Sequence, residues 1–423
     1  MQRQYEKTVN AWCMYDWANS AFATTILAAV FPIFYGRVAG ATLPGNLATV
    51  YWGYTASAAL FTVAFAAPIL GAIADHSGAK KKFLLVFAAL GIAFTALLAT
   101  IQQGAWRPAS FFFVLAYIGF AGSIIFYDSL LPHISKPEDI DRVSSKGFAI
   151  GYLGGGLLLA LNLAWIMAPQ VFMLKDTAAA SRLSFFSVAV WWAIFSIPLF
   201  RKVPEPAASP LAGAISPVRG GFQRLSRTFH EIRRYKELTK FLVAFWLYSD
   251  GIGTVIKMAT IYGSEIGIGT SSLIGALLMV QFIGFPATIA VGKIASRIGT
   301  KRAIFITLAI YCFISVGGYF MSRAWHFWAL SVLVACAQGG AQALSRSLFG
   351  RMAPIEKSAE FFGFFSISSK FAGIVGPFLF AVVGQLTGTS RLSILSLIFF
   401  FVCGGLLLAR VDVEEGLRAS TGA

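Results

Sequence analysis

Gly71-Ala72-Ile73-Ala74-Asp75-His76-Ser77-Gly78-Ala79-Lys80-Lys81-Lys82 closes one long apolar run and opens the next. The run before it covers about residues 49–74 and the run after it about 83–102. Each is close to the ~20 mostly apolar residues with which an α-helix crosses a hydrocarbon core of about 30 Å. Only a tight connection fits between them, and three lysines in a row at such a boundary belong on the cytoplasmic side. The stretch therefore reads as a short cytoplasmic turn joining two antiparallel membrane helices.

The same pattern extends in both directions. About twelve apolar segments can be read, near 11–35, 49–74, 83–102, 109–131, 146–168 and 182–200, then 240–262, 271–292, 303–321, 326–349, 361–385 and 391–410. Of 423 residues, 57% are hydrophobic and 12% charged, and the mean hydropathy is +0.73. A soluble domain carries roughly 25% charged residues, so this chain cannot cover itself against water. Its formal charge of +16 is not a nucleic-acid footprint. The basic residues gather in alternate connections (Lys80 to Lys82; Arg219 to Lys240; Lys293, Arg297, Lys301 and Arg302), and the other connections hold singletons such as Arg107 and Arg323. That alternation predicts both termini in the cytoplasm. The short charged start (Arg3, Glu6, Lys7) runs into an apolar stretch too long for a cleavable signal and reads as a retained first helix. Cys13, Cys312, Cys336 and Cys403 lie in apolar stretches without metal-ligand spacing and read as small buried side chains.

The chain repeats itself. Gly292-Lys-Ile-Ala-Ser296-Arg297-Ile-Gly299-Thr-Lys301-Arg302 copies the opening stretch, Trp246-x-x-x-Asp250 copies Trp12-x-x-x-Asp16, Arg346-Ser-Leu answers Asp128-Ser-Leu, and Gly363-Phe364 answers Gly147-Phe148. The four pairs keep their order at similar offsets. Between the sixth and seventh segments lies the one long polar stretch, opening with Pro204, Pro206, Pro210 and Pro217 and turning Arg-rich from about Phe222. The expected organisation is a six-helix bundle over 1–200, a cytoplasmic linker over 201–239 and a second bundle over 240–423. Parallel six-helix repeats put a solute site between the halves, near the bilayer midplane.

The Gly71–Lys82 stretch resembles the signature loop of the major facilitator superfamily, and its degenerate copy falls where that superfamily has one. The resemblance covers essentially the whole chain and implies an all-α membrane protein with twelve transmembrane helices in two pseudo-symmetric six-helix bundles. Trp12-Cys-Met-Tyr15-Asp16-Trp17-Ala18-Asn19-Ser20-Ala21-Phe22 is similar to the first-helix signature of the branch that includes prokaryotic members and the fungal autophagy-related vacuolar effluxers. Tyr248-Ser-Asp250-Gly251, Gln342-Ala-Leu-Ser345-Arg346-Ser347 and Phe361-Phe-Gly363-Phe-Phe-Ser366 fit the same branch. The branch implies proton-linked or facilitated export of small solutes, amino acids foremost, across a prokaryotic inner membrane. Lys257 and Lys370 depart from its pattern.

Charged side chains inside a bilayer cost about 2.5–3.5 kcal/mol each on insertion scales, so they face a cavity or a partner. Within apolar segments the chain keeps Asp16, Asp128, Asp250, Lys257, Arg346 and Lys370. Trp246, Asp250, Thr254 and Lys257 share one helix face. Asp250 falls near the midplane and either binds a solute or proton, with Lys257 or Lys370 as its paired charge, or holds neighbouring helices. Tyr15 with Asn19 and Asp16 with Ser20 make a polar face on the first helix, with Asp16 alternatively an interfacial residue. Tyr248 and the amides Gln281, Gln338 and Gln342 are placed with the solute site; as alternatives the amides tie helices together. Gly147, Gly151 and Gly155 offer a smooth face for close helix approach. Gly376-Pro377 and Pro286 mark points where the eleventh and eighth helices loosen.

Gly71, Asp75, Gly78 and Lys80 are assigned to gating, with Asp75 capping a neighbouring helix start or pairing a cation. Asp128 and Arg346, at equivalent depth in the two halves, are expected to form an inner gate, with local pairing to Lys136 or Asp141 as the alternative. As an isolated pair they predict partial recovery of function on charge exchange. The chain carries no Walker A run, His-Glu-x-x-His or Gly-x-Ser-x-Gly, and His230-Glu231 lacks its second histidine, so no enzyme and no cofactor is expected. Its partners are a small-molecule substrate, protons as a coupling ion and the lipid bilayer; no oligomer is specified. The rival functions are lipid or drug efflux by the same fold, and a sensor or scaffold that no longer transports.

Overall fold

The computed structural model describes residues 2–44, 47–207, 223, 226, 235–371, 373 and 375–421. Among these there is no strand. The helices of the first half are α1 (Gln2–Ala21), α2 (Leu47–Ser77), α3 (Lys80–Leu98), α4 (Trp106–Ser129), α5 (Ile140–Met167) and α6 (Thr177–Lys202). Those of the second are α7 (Lys236–Glu265), α8 (Thr270–Ile298), α9 (Thr300–Tyr319), α10 (Ala324–Met352), α11 (Ser358–Phe371 and Val375–Thr387) and α12 (Ser390–Ser396 and Ile398–Ala409), followed by a short amphipathic α13 (Val413–Thr421). Most of the expected linker lies outside the described residues.

Ten stretches are individually long and apolar enough to cross a membrane, and α1 with its continuation makes an eleventh. Two crossings are not simple helices. Past Ala21, α1 widens into π-helical turns over Phe22–Ala29 and bends by 41° before Phe31–Ala39, where Pro32 contributes no N–H to the ladder. The other is α11. Pro377 cannot donate to the carbonyl four residues back, on Gly373, and the helix breaks between Phe371 and Val375. Pro286 does not act this way: α8 runs through it unbroken, as α2 and α6 run through Pro68 and Pro198. One missing bond is tolerated there, whereas glycines at 373 and 376 add backbone freedom to the break in α11.

Both copies of the signature loop end their helix on a glycine in the left-handed region, Gly78 at φ +61° and Gly299 at φ +92°, which is what a sharp stop without a Cβ penalty needs. Each half buries its own core. The first is built around rings such as Phe31 on Phe113 (5.2 Å, 5° between planes), and the second around Phe245 on Phe365 (4.3 Å). Between the halves, α5 lies against α8 and α10, and α2 and α4 against α11.

The described residues near both termini lie at one end of the bundle, with the basic loops. Tyr5 Oη donates to Asp139 (3.1 Å) beside the α4–α5 connection, and Glu415 of α13 pairs with Lys236 at the start of α7 (2.7 Å). We call this the basic end. Cys13 is buried, the other three cysteines are half-buried, and all four are free thiols.

Candidate functional site

At the basic end the halves are tied by charge. Arg346 of α10 is 2% exposed, so its guanidinium must find acceptors within the protein. It finds them in the opposite half. Nη1 lies 2.9 Å from Asp128 of α4 and 3.4 Å from Asp16 of α1, while Nε and Nη2 each donate at 2.9 Å to the hydroxyl and carbonyl oxygens of Ser144 on α5. The guanidinium plane also sits on Phe148 (4.2 Å) and Trp12 (4.9 Å), a stacking that an ammonium cannot reproduce. Tyr127 Oη holds Asp16 from behind (2.8 Å), and Trp12 Nε1 donates to the Tyr127 carbonyl (3.0 Å). The expected Asp128–Arg346 juxtaposition is present, and Arg346 is not paired locally. Asp16, placed with the solute site from sequence, stands instead in this cluster, because the i,i+4 geometry of α1 turns Asp16 and Ser20 onto α5. There, the glycine face does its work: a Cβ on Gly147 would lie 2.5 Å from Asp16 Oδ2, and one on Gly151 2.6 Å from Ser20 Oγ.

The signature loop makes a second tie. Asp75 accepts the backbone N–H groups of Ala359 (3.2 Å) and Glu360 (2.8 Å) at the start of α11 in the other half, and also pairs with Lys80 (2.8 Å). Helix capping and cation pairing, read from sequence as alternatives, coexist. Gly71 permits this approach: a Cβ there would come within 2.3 Å of the Ala359 carbonyl oxygen.

A third tie went unread in the sequence. The second copy of the loop carries Ser296 where the first carries Asp75, and the carboxylate comes from the partner helix. Asp141, in the first turn of α5, accepts from Thr300 Oγ1 (2.6 Å) at the start of α9, from Arg351 (2.8 Å) and from Ser347. The repeat offset carried the signal, since it maps the start of α11 onto Asp141–Ser144.

Asp250 and Lys257 do not pair with each other across a solute site. Asp250 accepts the N–H groups of Val375 (3.2 Å) and Gly376 (3.0 Å), and Lys257 Nζ donates to the Gly373 carbonyl (3.3 Å). Both therefore satisfy backbone groups orphaned by the break in α11, which cost several kcal/mol each if left bare in a membrane. Lys370's side chain lies outside the described residues. Tyr248 is also placed differently: it is 1% exposed and its hydroxyl meets Ser345 Oγ (2.6 Å), tying α7 to α10. Tyr15 and Asn19 are buried within the first half. Gln281, Gln338 and Gln342 are half-buried, and the side-chain stem of Gln281 lies against Gly156 of the opposite half.

The family described as vacuole effluxer Atg22 like matches residues 44–421. The chain is 41% identical to the uncharacterized MFS-type transporter YxiO of Bacillus subtilis, over 99% of this chain and 98% of that one. It is 24% identical to the autophagy-related protein 22 of Coccidioides immitis, over 86% and 74%. The fold is that of the E. coli fucose:proton symporter FucP, with a TM-score of 0.70 at 12% identity over 96% and 98% of the two chains.

Proposed function

Because this chain belongs to the vacuole effluxer Atg22 like family, and so to the membrane transporters of the major facilitator type, we propose that it exports small polar solutes, amino acids foremost, by alternating access across a prokaryotic inner membrane. The observation that carries this reading is the placement of the three charged ties. All join helices of opposite halves and all lie at the basic end. Charged ties confined to one end are what a bundle needs if that end is to close in one state and part in another. In this reading the basic end is cytoplasmic and closed, and Gln281, Gln338 and Gln342 line the solute path between the halves.

Asp16 is the residue we assign to the coupling proton. Parting the halves withdraws Arg346 with α10 and leaves a carboxylate in apolar surroundings, which a proton neutralises. Proton uptake is then tied to opening. In proteoliposomes, Asp16→Asn should retain exchange of labelled solute while losing accumulation driven by a proton gradient, by an order of magnitude or more. Undiminished uphill accumulation in that variant removes Asp16 from coupling, and absence of solute exchange by the unmodified protein, across a panel of amino acids, removes the transport reading itself.

The orientation has its own check. A reporter that fluoresces only in the cytoplasm, fused after Ala423, should be bright, as the loop charge asymmetry demands. A dark fusion with protein present in the membrane reverses the topology.

A further inference from the structure

Lys80 is placed where four chain segments converge. Its ammonium has three donors and no acceptor, and it meets three acceptors: Asp75 Oδ1 on α2 (2.8 Å), Ser358 Oγ at the start of α11 (2.7 Å) and Nε2 of His133 (2.8 Å), in the short helical turn Leu131–Ile134 that follows α4. His133 Nε2 also lies 3.0 Å from Ser358 Oγ. The imidazole is thus in the tie that closes the basic end, and Lys80, at 2% exposure, has little water to fall back on.

This geometry sets the protonation state. An ammonium donates, so Nε2 must present its lone pair and the ring must be neutral. A proton on Nε2 would turn acceptor into donor and set two cations 2.8 Å apart. We propose that His133 is a proton-binding site that opens the tie: the closed arrangement excludes the proton, and the parted halves accept it. The inference rests on the alternating-access reading above.

Other charged groups on the surrounding elements have partners of their own. Asp75 is held by Lys80 and the α11 start; on α5, Asp141 is held by Thr300 and Arg351; on α10, Arg346 lies between Asp128 and Asp16; Tyr5 on α1 meets Asp139, which also binds Arg142. On α2 and at the start of α11 the other titratable or charged groups close to the tie in sequence are His76, Glu356, Lys357 and Glu360, of which His76 and Glu360 are buried. They serve as controls.

The sign follows from linkage. Through His133 the open state binds one more proton than the closed one, beside the proton assigned to Asp16, so lowering the pH favours opening at this site once it passes the ordinary imidazole value of about 6.5. Between about pH 7.5 and about pH 5.5 the open-to-closed ratio should rise about tenfold.

The test is the full chain in lipid nanodiscs, carrying Asp16→Asn so that only His133 contributes, lacking its native cysteines and spin-labelled at Glu138→Cys and Ile355→Cys, two exposed positions on opposite halves at the basic end. Distance distributions should show the ratio of separated to closed populations growing about tenfold over that range, the rise setting in near the imidazole value. His133→Gln and His133→Asn should each flatten the dependence, and His76→Gln and Glu360→Gln should preserve it. A flat profile in the parent protein, a shift that survives in a folded His133 variant, or its loss in His76→Gln or Glu360→Gln overturns the proposal. If the halves separate on adding solute but not on acidification, only this inference fails; if they never separate, the transport reading fails with it.

Discussion

Arg346→Gln is expected to abolish transport while leaving the protein in the membrane and folded. Removing the guanidinium strands Asp16 and Asp128 in the closed tie, and deleting one partner of a buried ion pair costs about 3–5 kcal/mol. That cost falls on the closed arrangement, since parting the halves withdraws residue 346 from both carboxylates whether or not it is an arginine. Shifting a two-state equilibrium from 1:99 to 99:1 takes about 5.5 kcal/mol, so the substitution moves most of the population to the open basic end. Solute uptake and labelling of a cysteine at the buried position Ser358 read the two consequences; uptake within twofold of the parent, or unchanged labelling, defeats the assignment. Arg346→Lys should fall between, because it keeps the charge and loses the fork onto Ser144 and the stacking on Phe148. The exchange Asp128→Arg with Arg346→Asp no longer promises recovery. An aspartate at 346 would face Asp16, which lies 3.4 Å from the present guanidinium, and two carboxylates would then meet inside the protein.

Gly71→Ala should have an effect of similar size by a different route. The added Cβ meets backbone atoms, 2.3 Å from the carbonyl oxygen of Ala359 and 2.8 Å from Cα of Glu360, and a backbone cannot rotate out of the way as a side chain can. Alanine suits a helix better than glycine by about 1 kcal/mol, so α2 itself is not harmed. The clash lies wholly between the halves, and separating them relieves it. The variant should therefore melt within a few degrees of the parent, hold the basic end open and fail to transport. Normal turnover in Gly71→Ala would show that α2 and α11 never come this close in the working cycle.

The sequence was most legible where one residue's chemistry settles its own surroundings. Apolar runs must span, lysine-rich turns must stay in water, and Gly78 must end a helix, whatever the rest of the chain does. The repeat carried this further, since two residues at equivalent depth in two halves, Asp128 and Arg346, face each other once the halves close. Periodicity along one helix went less far. It grouped Asp250 with Lys257 correctly on a face of α7, but the face turns toward α11 and both side chains serve the backbone freed by Pro377.

What a side chain touches across a gap of more than a hundred residues depends on the tilt and register of two helices, and neither is written in local spacing. Asp16 shows the consequence, having a polar i+4 neighbour on its own helix but its strongest partners on α4 and α10. Asp141 shows it again, since only the packing of α5 against α8 and α10 brings Thr300 and Arg351 to it. The sequence by itself determined a twelve-helix membrane protein of two repeated halves, because bare backbone in lipid turns each apolar run of about 20 residues into a spanning helix and the matched motifs pair those runs half with half. Only the tertiary structure decided which charges close the basic end and which repair a broken helix, because a buried charge takes whichever acceptor lies within about 3 Å of it, and that distance exists only after the helices have packed.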